Sequence, residues 1–291
     1  AQINLLLDTA VASLLITGSQ TWLAQATRFL ELPLGVFGVA LGTVILPALS
    51  RHHVSADKEG FSRSLDWGLR TTLLIALPAM CGLLLLAEPA VAACFQNGQF
   101  TAFDSHMTAI AIMGLAAGVP AIALTRTLLP AFYSRQDTRT PVRAGVVALI
   151  VNMLANFVLI ALLFELWAPA GLKQLPWLDG IARVPGLQLG MAIASSVSNY
   201  LQFALLWRYL KRAGVYHRQP GWGRHWLRMG LACAALVVVV GIGLWLWPWQ
   251  QWTHERIVTR IWKLLVLVCA GGAAYVGVLF ASGFRVRDLR R

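Results

Sequence analysis

Charge is scarce in this chain of 291 residues: Asp, Glu, Lys and Arg make up only 12% of it, against roughly 25% in soluble domains. That scarcity argues against an ordinary water-facing surface. Acids are the rarer sign, 12 against 24 Lys and Arg. No DDxxD carboxylate pair, GxSxG, P-loop or HExxH occurs. The familiar constellations for prenyl-diphosphate metal chemistry, acyl transfer, nucleotide hydrolysis and zinc proteolysis are therefore missing. Cys81, Cys94, Cys233 and Cys269 form no CxxC, and the six histidines form no cluster. That leaves no case for a disulfide framework or a zinc site. Three of the cysteines fall inside apolar runs, and the expectation is small buried thiols.

What the chain has in abundance is apolar length. It is 58% hydrophobic, with a mean hydropathy of +0.66. Uncharged runs of helix-spanning length recur along it, as crossing about 30 Å of hydrocarbon requires. These features predict an all-α polytopic membrane protein with eight transmembrane helices, at about 1–17, 21–49, 64–87, 105–130, 142–164, 187–210, 227–247 and 260–282. The loops are too short to hold a soluble catalytic domain. A net charge of +12 could suit nucleic acid, but Lys and Arg gather in short segments between the apolar runs, as cytoplasmic loops do.

Arg51, Lys58, Arg63 and Arg70, then Arg126, Arg135, Arg139 and Arg143, fall on one side of the membrane in this reading. Arg208, Lys211, Arg212, Arg218, Arg224 and Arg228 join them, with Arg285, Arg287, Arg290 and Arg291 in the tail. The other side has Lys173, Arg183, Arg256, Arg260 and Lys263. This asymmetry predicts that both chain ends face the cytoplasm. The opening AQINLLLDTAVASLLIT has no initiator Met, basic n-region or cleavage site. It reads as the inside of a helix, so the expectation is a piece of a longer protein.

Several spans carry breakers or polar residues. Pro33, Pro47, Pro78, Pro120 and Pro130 interrupt apolar runs, and Gly38-x-x-x-Gly42 and Gly114-x-x-x-Gly118 permit close helix approach. Simple packing explains them, and so do broken helices lining a cavity. Asp8 calls for a neighbouring helix, a cation or a proton path. Asn152 and Asn156, at i and i+4, share one helical face, and Ser195, Ser196, Ser198 and Asn199 make another polar stretch. Amide oxygens with a carboxylate suit a small hard cation such as Na⁺; interhelical hydrogen bonding suits the asparagines equally well. Arg28 and Glu31 precede an uncharged run from Leu32 to Leu49. A tight turn at Gly18-Ser19-Gln20 would put Arg28 well below the surface, whereas a longer one would let both charges snorkel. Their i,i+3 spacing would let them partly neutralise each other, and spare guanidinium donors suit a phosphate.

QINLLLDTAVASLL, ATRFLELPLGVFGVALGTVILPALS, DWGLR, FQNGQFTAFD, PAFYSRQDTRTPV and QPGW together resemble the MurJ (MviN) family, the lipid II flippases of the multidrug/oligosaccharidyl-lipid/polysaccharide exporter superfamily. The resemblance covers essentially the whole chain and would make it helices 7 to 14 of fourteen. It implies one six-helix lobe, residues 1–212, and two extra helices in 213–291 that form a groove for the polyprenyl tail. The partners implied are lipid II, membrane lipids and a first lobe missing from this sequence, in the bacterial cytoplasmic membrane. By resemblance, Arg28 is a cavity arginine facing the diphosphate, Glu31 its acidic neighbour and Arg126 a further basic residue. Thr27 stands where an aspartate is frequent. Asp8, Asn152, Asn156 and Ser195 fall on the positions of a sodium site found in some members. Asn156 replaces a ligand that can be acidic, so protons or membrane potential are alternatives to Na⁺.

Two other readings compete. One is an exporter of drugs or of another polyprenyl-linked glycan. The other is a membrane-embedded enzyme of envelope synthesis, but its available acids, Glu88, Asp104, Glu165, Asp179 and Glu255, are scattered.

Overall fold

The fold is given by a computed structural model. It describes residues 2–96, 98–217 and 219–283, with side chains except at 2, 3, 5, 36–43, 253 and 254. Arg218, the tail arginines from Arg285 onward and the surroundings of Gly38 and Gly42 lie outside the described residues. Eleven α-helices are described: α1 (Gln2–Ala12), α2 (Ser19–Val54), α3 (Lys58–Phe95), α4 (Ala102–Ala116), α5 (Val119–Tyr133), α6 (Arg139–Trp167), the short α7 (Ala170–Lys173) and α8 (Trp177–Ile181), α9 (Gln188–Arg212), α10 (Trp222–Leu246) and α11 (Ile257–Ala281). A 3₁₀ turn, Trp249–His254, joins the last two.

Five of these helices, α3, α6, α9, α10 and α11, are long and apolar enough to cross a membrane, or six if the bent pair α4–α5 is one span. The chain is thus an all-helical, multi-pass membrane protein. The first expected span, 1–17, is a helix of only 11 residues, about 17 Å long, followed by a turn that ends at Gly18. Gly18 has φ +107°, where a side chain would be strained.

The span expected at 105–130 is not one straight helix. It breaks between α4 and α5 with a 45° bend. Pro120 has no N–H to offer the preceding turn, and the Gly118 N–H bonds to Leu115 O at 2.9 Å instead of to Gly114 O. The Gly114 carbonyl so released accepts from the Ser196 hydroxyl at 2.7 Å. Ala117 O accepts from Tyr200 at 3.0 Å. In lipid, where no water can take over, such groups need protein partners; here α9 supplies them. The small-residue spacing serves the same contact: a Cβ on Gly114 would lie 2.7 Å from Ala192 Cβ, and one on Gly118 2.7 Å from Ser196 Oγ.

Long α2 and α3 form the backbone of the bundle, packed with α4 and α5 around Leu30, Val91, Ile112 and Leu128. Against α9, α6 packs closely enough that a Cβ on Gly190 would meet the Ile160 backbone N at 3.2 Å. The last two helices pack on each other, where Gly243 faces Leu267 and Gly271 faces Val240, and both lie against α3. The cysteine expectation is corrected. Cys81 and Cys233 are half-buried and Cys94 and Cys269 exposed, because helix faces that meet lipid need no polar side chain and tolerate a thiol.

Two contacts fasten α10 and α11 to α3. Pro78 leaves the Leu74 carbonyl without its helical donor, and the Tyr275 hydroxyl of α11 donates to it at 2.7 Å. Towards the start of α3, Asp66 accepts from Tyr216 Oη at 2.5 Å and from Trp222 Nε1 at 2.8 Å. It also pairs with Arg70 at 2.7 Å. The Arg70 guanidinium lies 5.1 Å from the Trp222 ring centre and donates to Pro220 O at 2.8 Å. Burial and the adjacent carboxylate push the Tyr216 hydroxyl above its usual range. DWGLR and QPGW, distant in sequence, are therefore two halves of one clasp. Removing one partner of a buried ion pair costs about 3–5 kcal/mol. Asp66→Ala is expected to lower the thermal midpoint in detergent far more than Asp66→Asn, which keeps one acceptor. Calorimetry or intrinsic tryptophan fluorescence checks this.

Candidate functional site

Three features bear on function. The first is the charged face of α2. Arg28 is the ninth residue after Ser19, roughly 14 Å along the axis at 1.5 Å per residue. The turn is not the expected Gly18-Ser19-Gln20: the connection runs over residues 13–18, and Ser19 and Gln20 already belong to α2. Trp22, one turn from the start, is tied to Asp104 of α4 at 3.0 Å. Arg28, Glu31 and Thr27 are exposed side chains on this helix. Among the described residues no ion pair joins Arg28 to Glu31, so the mutual neutralisation expected from their spacing is not made. Both remain available to a third group. The structure brings Arg126 to the same region: its Nη1 donates to the Leu34 carbonyl at 3.0 Å, beside Pro33 and one turn beyond Glu31.

The second feature joins α1 to α6. The Asp8 Oδ1 accepts from Asn152 Nδ2 at 3.0 Å and from Asn156 Nδ2 at 2.9 Å. Its Oδ2 accepts from Asn4 at 3.1 Å, and Asn152 also donates to Asn4 Oδ1 at 3.1 Å. Asn152 and Asn156 are buried. Asn4 completes the cluster, and its position one turn before Asp8 was the available signal. Ser195 is half-buried on α9 and makes no hydrogen bond to these residues among those described. Its neighbours Ser196 and Ser198 serve the carbonyls of Gly114 and Ala148.

Could this cluster hold a cation? The two asparagine Oδ1 atoms are buried without a hydrogen-bond partner. An asparagine oxygen and nitrogen are assigned from the hydrogen-bond network. Turning both amides would aim two oxygens at the space beside the carboxylate, a donor set that fits a small hard cation. As it stands, the amide N–H groups satisfy Asp8 unaided.

The third feature is an apolar groove of about 700 Å³ between α2, α3, α10 and α11. Its walls include Phe29, Leu32 and Pro33 of α2, Pro78 and Gly82 of α3, Val240 of α10 and Gly272 and Tyr275 of α11. Among the described residues Tyr275 is the single polar lining residue, and it spends its hydroxyl on Leu74. Side chains at Gly82 and Gly272 would enter open space.

These features define a class: a multi-pass membrane bundle of broken helices, with an exposed charged face on one helix beside an apolar groove. The family model described as lipid II flippase MurJ matches residues 1–173, and the chain belongs to that family. Curated relatives include the probable lipid II flippase MurJ of Vibrio cholerae, 39% identical over 100% of this chain and 50% of the relative. The lipid II flippase MurJ of Burkholderia cenocepacia is 34% identical over 100% and 52%. The chain therefore spans about half the length of the curated relatives it matches. A solved structure, lipid II flippase MurJ in an inward closed conformation, superposes with a TM-score of 0.63 over 96% of this chain and 52% of that one, at 22% identity. That likeness shows the fold.

The Asp8 cluster carries a direct expectation. Asp8→Ala strands three amide donors, at about 1–3 kcal/mol for each unsatisfied buried group, and loosens α1 from α6. Hydrogen exchange should rise in residues 4–12 and stay unchanged in α10 and α11. Unchanged exchange in α1 would show that the cluster does not hold it.

Proposed function

We propose that the chain is one lobe of a lipid II flippase, with the two added helices as a tail-binding appendage. It would carry the lipid-linked peptidoglycan precursor across the bacterial cytoplasmic membrane by alternating access, without chemistry on the substrate. The observation that carries this is the alternation along α2: Phe29, Leu32 and Pro33 line the apolar groove, while Arg28 and Glu31, on the same turns, are exposed. A diphosphate held at Arg28 would leave its polyprenyl chain beside the groove mouth, with Arg126 one turn away. An amphiphile with a multiply charged head and a long apolar tail fits that pairing; a soluble drug does not need it. Residues 1–212 form the lobe in this reading and 213–291 the groove-bearing appendage. A second lobe would face them across the cavity, and the basic loops and both chain ends would face the cytoplasm.

We infer further that Asp8, Asn152 and Asn156, with Ser195 at the same level of α9, hold a small cation such as Na⁺ that couples to transport. The support is the pair of orphaned amide oxygens. Na⁺ should raise the melting temperature of the parent over choline and do nothing for Asp8→Ala. A shift retained in that variant would refute this cation site.

The transport reading is tested in the full-length protein by the accessibility of lipid II at the outer face of complemented cells. A charge-assisted hydrogen bond contributes about 1.5–3 kcal/mol. Arg28→Ala should therefore slow flipping at least about tenfold, and Arg28→Lys less. Gly272→Phe, whose Cβ enters open space and whose ring fills the groove, should slow it severalfold at normal expression. Normal flipping in both variants would remove the assignment.

A further inference from the structure

At the basic end of the bundle three turns meet around a cavity of about 310 Å³, roughly ten times the ~30 Å³ share of a water molecule. The α2–α3 turn contributes His52, His53, Asp57 and Lys58, the α5–α6 turn Arg135, and the α9–α10 connection Gly214 and Val215; Phe61 lines it as well. Two of these turns hold a non-glycine residue in the left-handed region, Ala56 at φ 55° and Gln136 at φ 57°. Such backbone costs on the order of 1–3 kcal/mol, persists only where its surroundings impose it, and gathers at ligand clamps and switch regions. Gln136 sits in the SRQDT block, which the transport reading does not use.

The charges around the cavity are unequal. Asp57 is committed: the Gly60 N–H donates to it at 2.8 Å, and His52 Nδ1 lies 3.0 Å from its other oxygen. The Gly60 N–H, aided by the charges of His52 and Arg63, holds that carboxyl below its usual value. Arg135 also faces Asp137, whose carboxylate is taken up by the Thr140 N–H at 3.0 Å. Among the described residues, Lys58, Arg135 and His53 make no ion pair. Two permanent cations and two imidazoles thus border a partly apolar cavity whose one lining carboxylate is already satisfied.

We propose that this cavity binds a phosphate-bearing anion, with Lys58 and Arg135 as its charge partners. The anion has two possible sources: the phosphodiester headgroup of an anionic lipid in the adjacent leaflet, or a soluble phosphate compound. Either would bridge the three turns. One of them leads directly into Tyr216 and the Asp66 clasp, so occupancy would stiffen the junction between the bundle and α10–α11. The site is separate from Arg28 and from the groove.

The test uses the full-length protein and reads binding, not flipping, so its outcome is independent of the transport assignment. Lipid retained from phosphatidylglycerol–phosphatidylcholine nanodiscs is counted by native mass spectrometry. In a second arm, inorganic phosphate is titrated against the melting temperature in neutral detergent. Lys58→Gln/Arg135→Gln should weaken the response by about tenfold or more. Lys58→Arg should retain it, and Arg212→Gln/Arg224→Gln, which removes equal charge outside the cavity, should leave it within about twofold. Retention of phosphatidylglycerol alone assigns the lipid source; a response to phosphate assigns the soluble one. No response to either probe in the parent, equal responses in parent and Lys58→Gln/Arg135→Gln, or an equal loss in Arg212→Gln/Arg224→Gln overturns the proposal.

Discussion

Broken helices in lipid leave carbonyls that water cannot satisfy, and much of this structure follows from how those groups are partnered. Proline at positions 78 and 120 removes donors from turns in the middle of the bundle. Tyr275 answers the first from α11; at the break beside the second, Ser196 and Tyr200 of α9 take up the carbonyls of Gly114 and Ala117. Arg126 of α5 likewise bonds a backbone carbonyl of α2, that of Leu34. These hydrogen bonds hold neighbouring helices together where apolar side chains gain little by leaving lipid for protein. The breaks in helices and the cohesion between them are thus linked.

Hydropathy and loop charge were enough to reveal a multi-pass helical bundle, since bilayer thickness fixes run length. The ends of elements were less legible. The 105–130 run reads as one span because Ile, Ala and Leu are apolar in a straight or a bent helix alike, and the break depends on a donor lost at Pro120 and hydroxyls more than seventy residues away. Asp8, Asn152 and Asn156 were visible because amides and acids are rare in such runs, and their convergence was suggested by periodicity and resemblance. Asn4 was missed, although its spacing from Asp8 was available. Arg28 and Glu31 were legible as anomalies, but their failure to pair was not, because i,i+3 proximity permits an ion pair without requiring it. The Asp66 clasp was hidden because it joins residues about 150 positions apart.

Electrostatics and apolar surface divide the molecule along its length. The exposed face of α2 keeps Arg28 and Glu31 without an ion pair among the described residues, which is costly within a membrane unless a ligand or solvent is admitted. The clasp keeps its charges paired and hydrogen-bonded, and so serves cohesion. At the basic end the cations outnumber the acids available to them. The same residue types therefore do different work according to how many partners the fold grants them.

With its 38 residues, α3 is about 57 Å long, nearly twice the hydrocarbon thickness. It meets the basic-end turns at its start, the clasp a few turns on, and the groove along its second half. A rod of that length acts as a lever: a tilt of about 10° displaces one end against the other by roughly 10 Å. Any tilt of α3 would therefore move the basic-end turns and the groove in opposite directions in a single stroke.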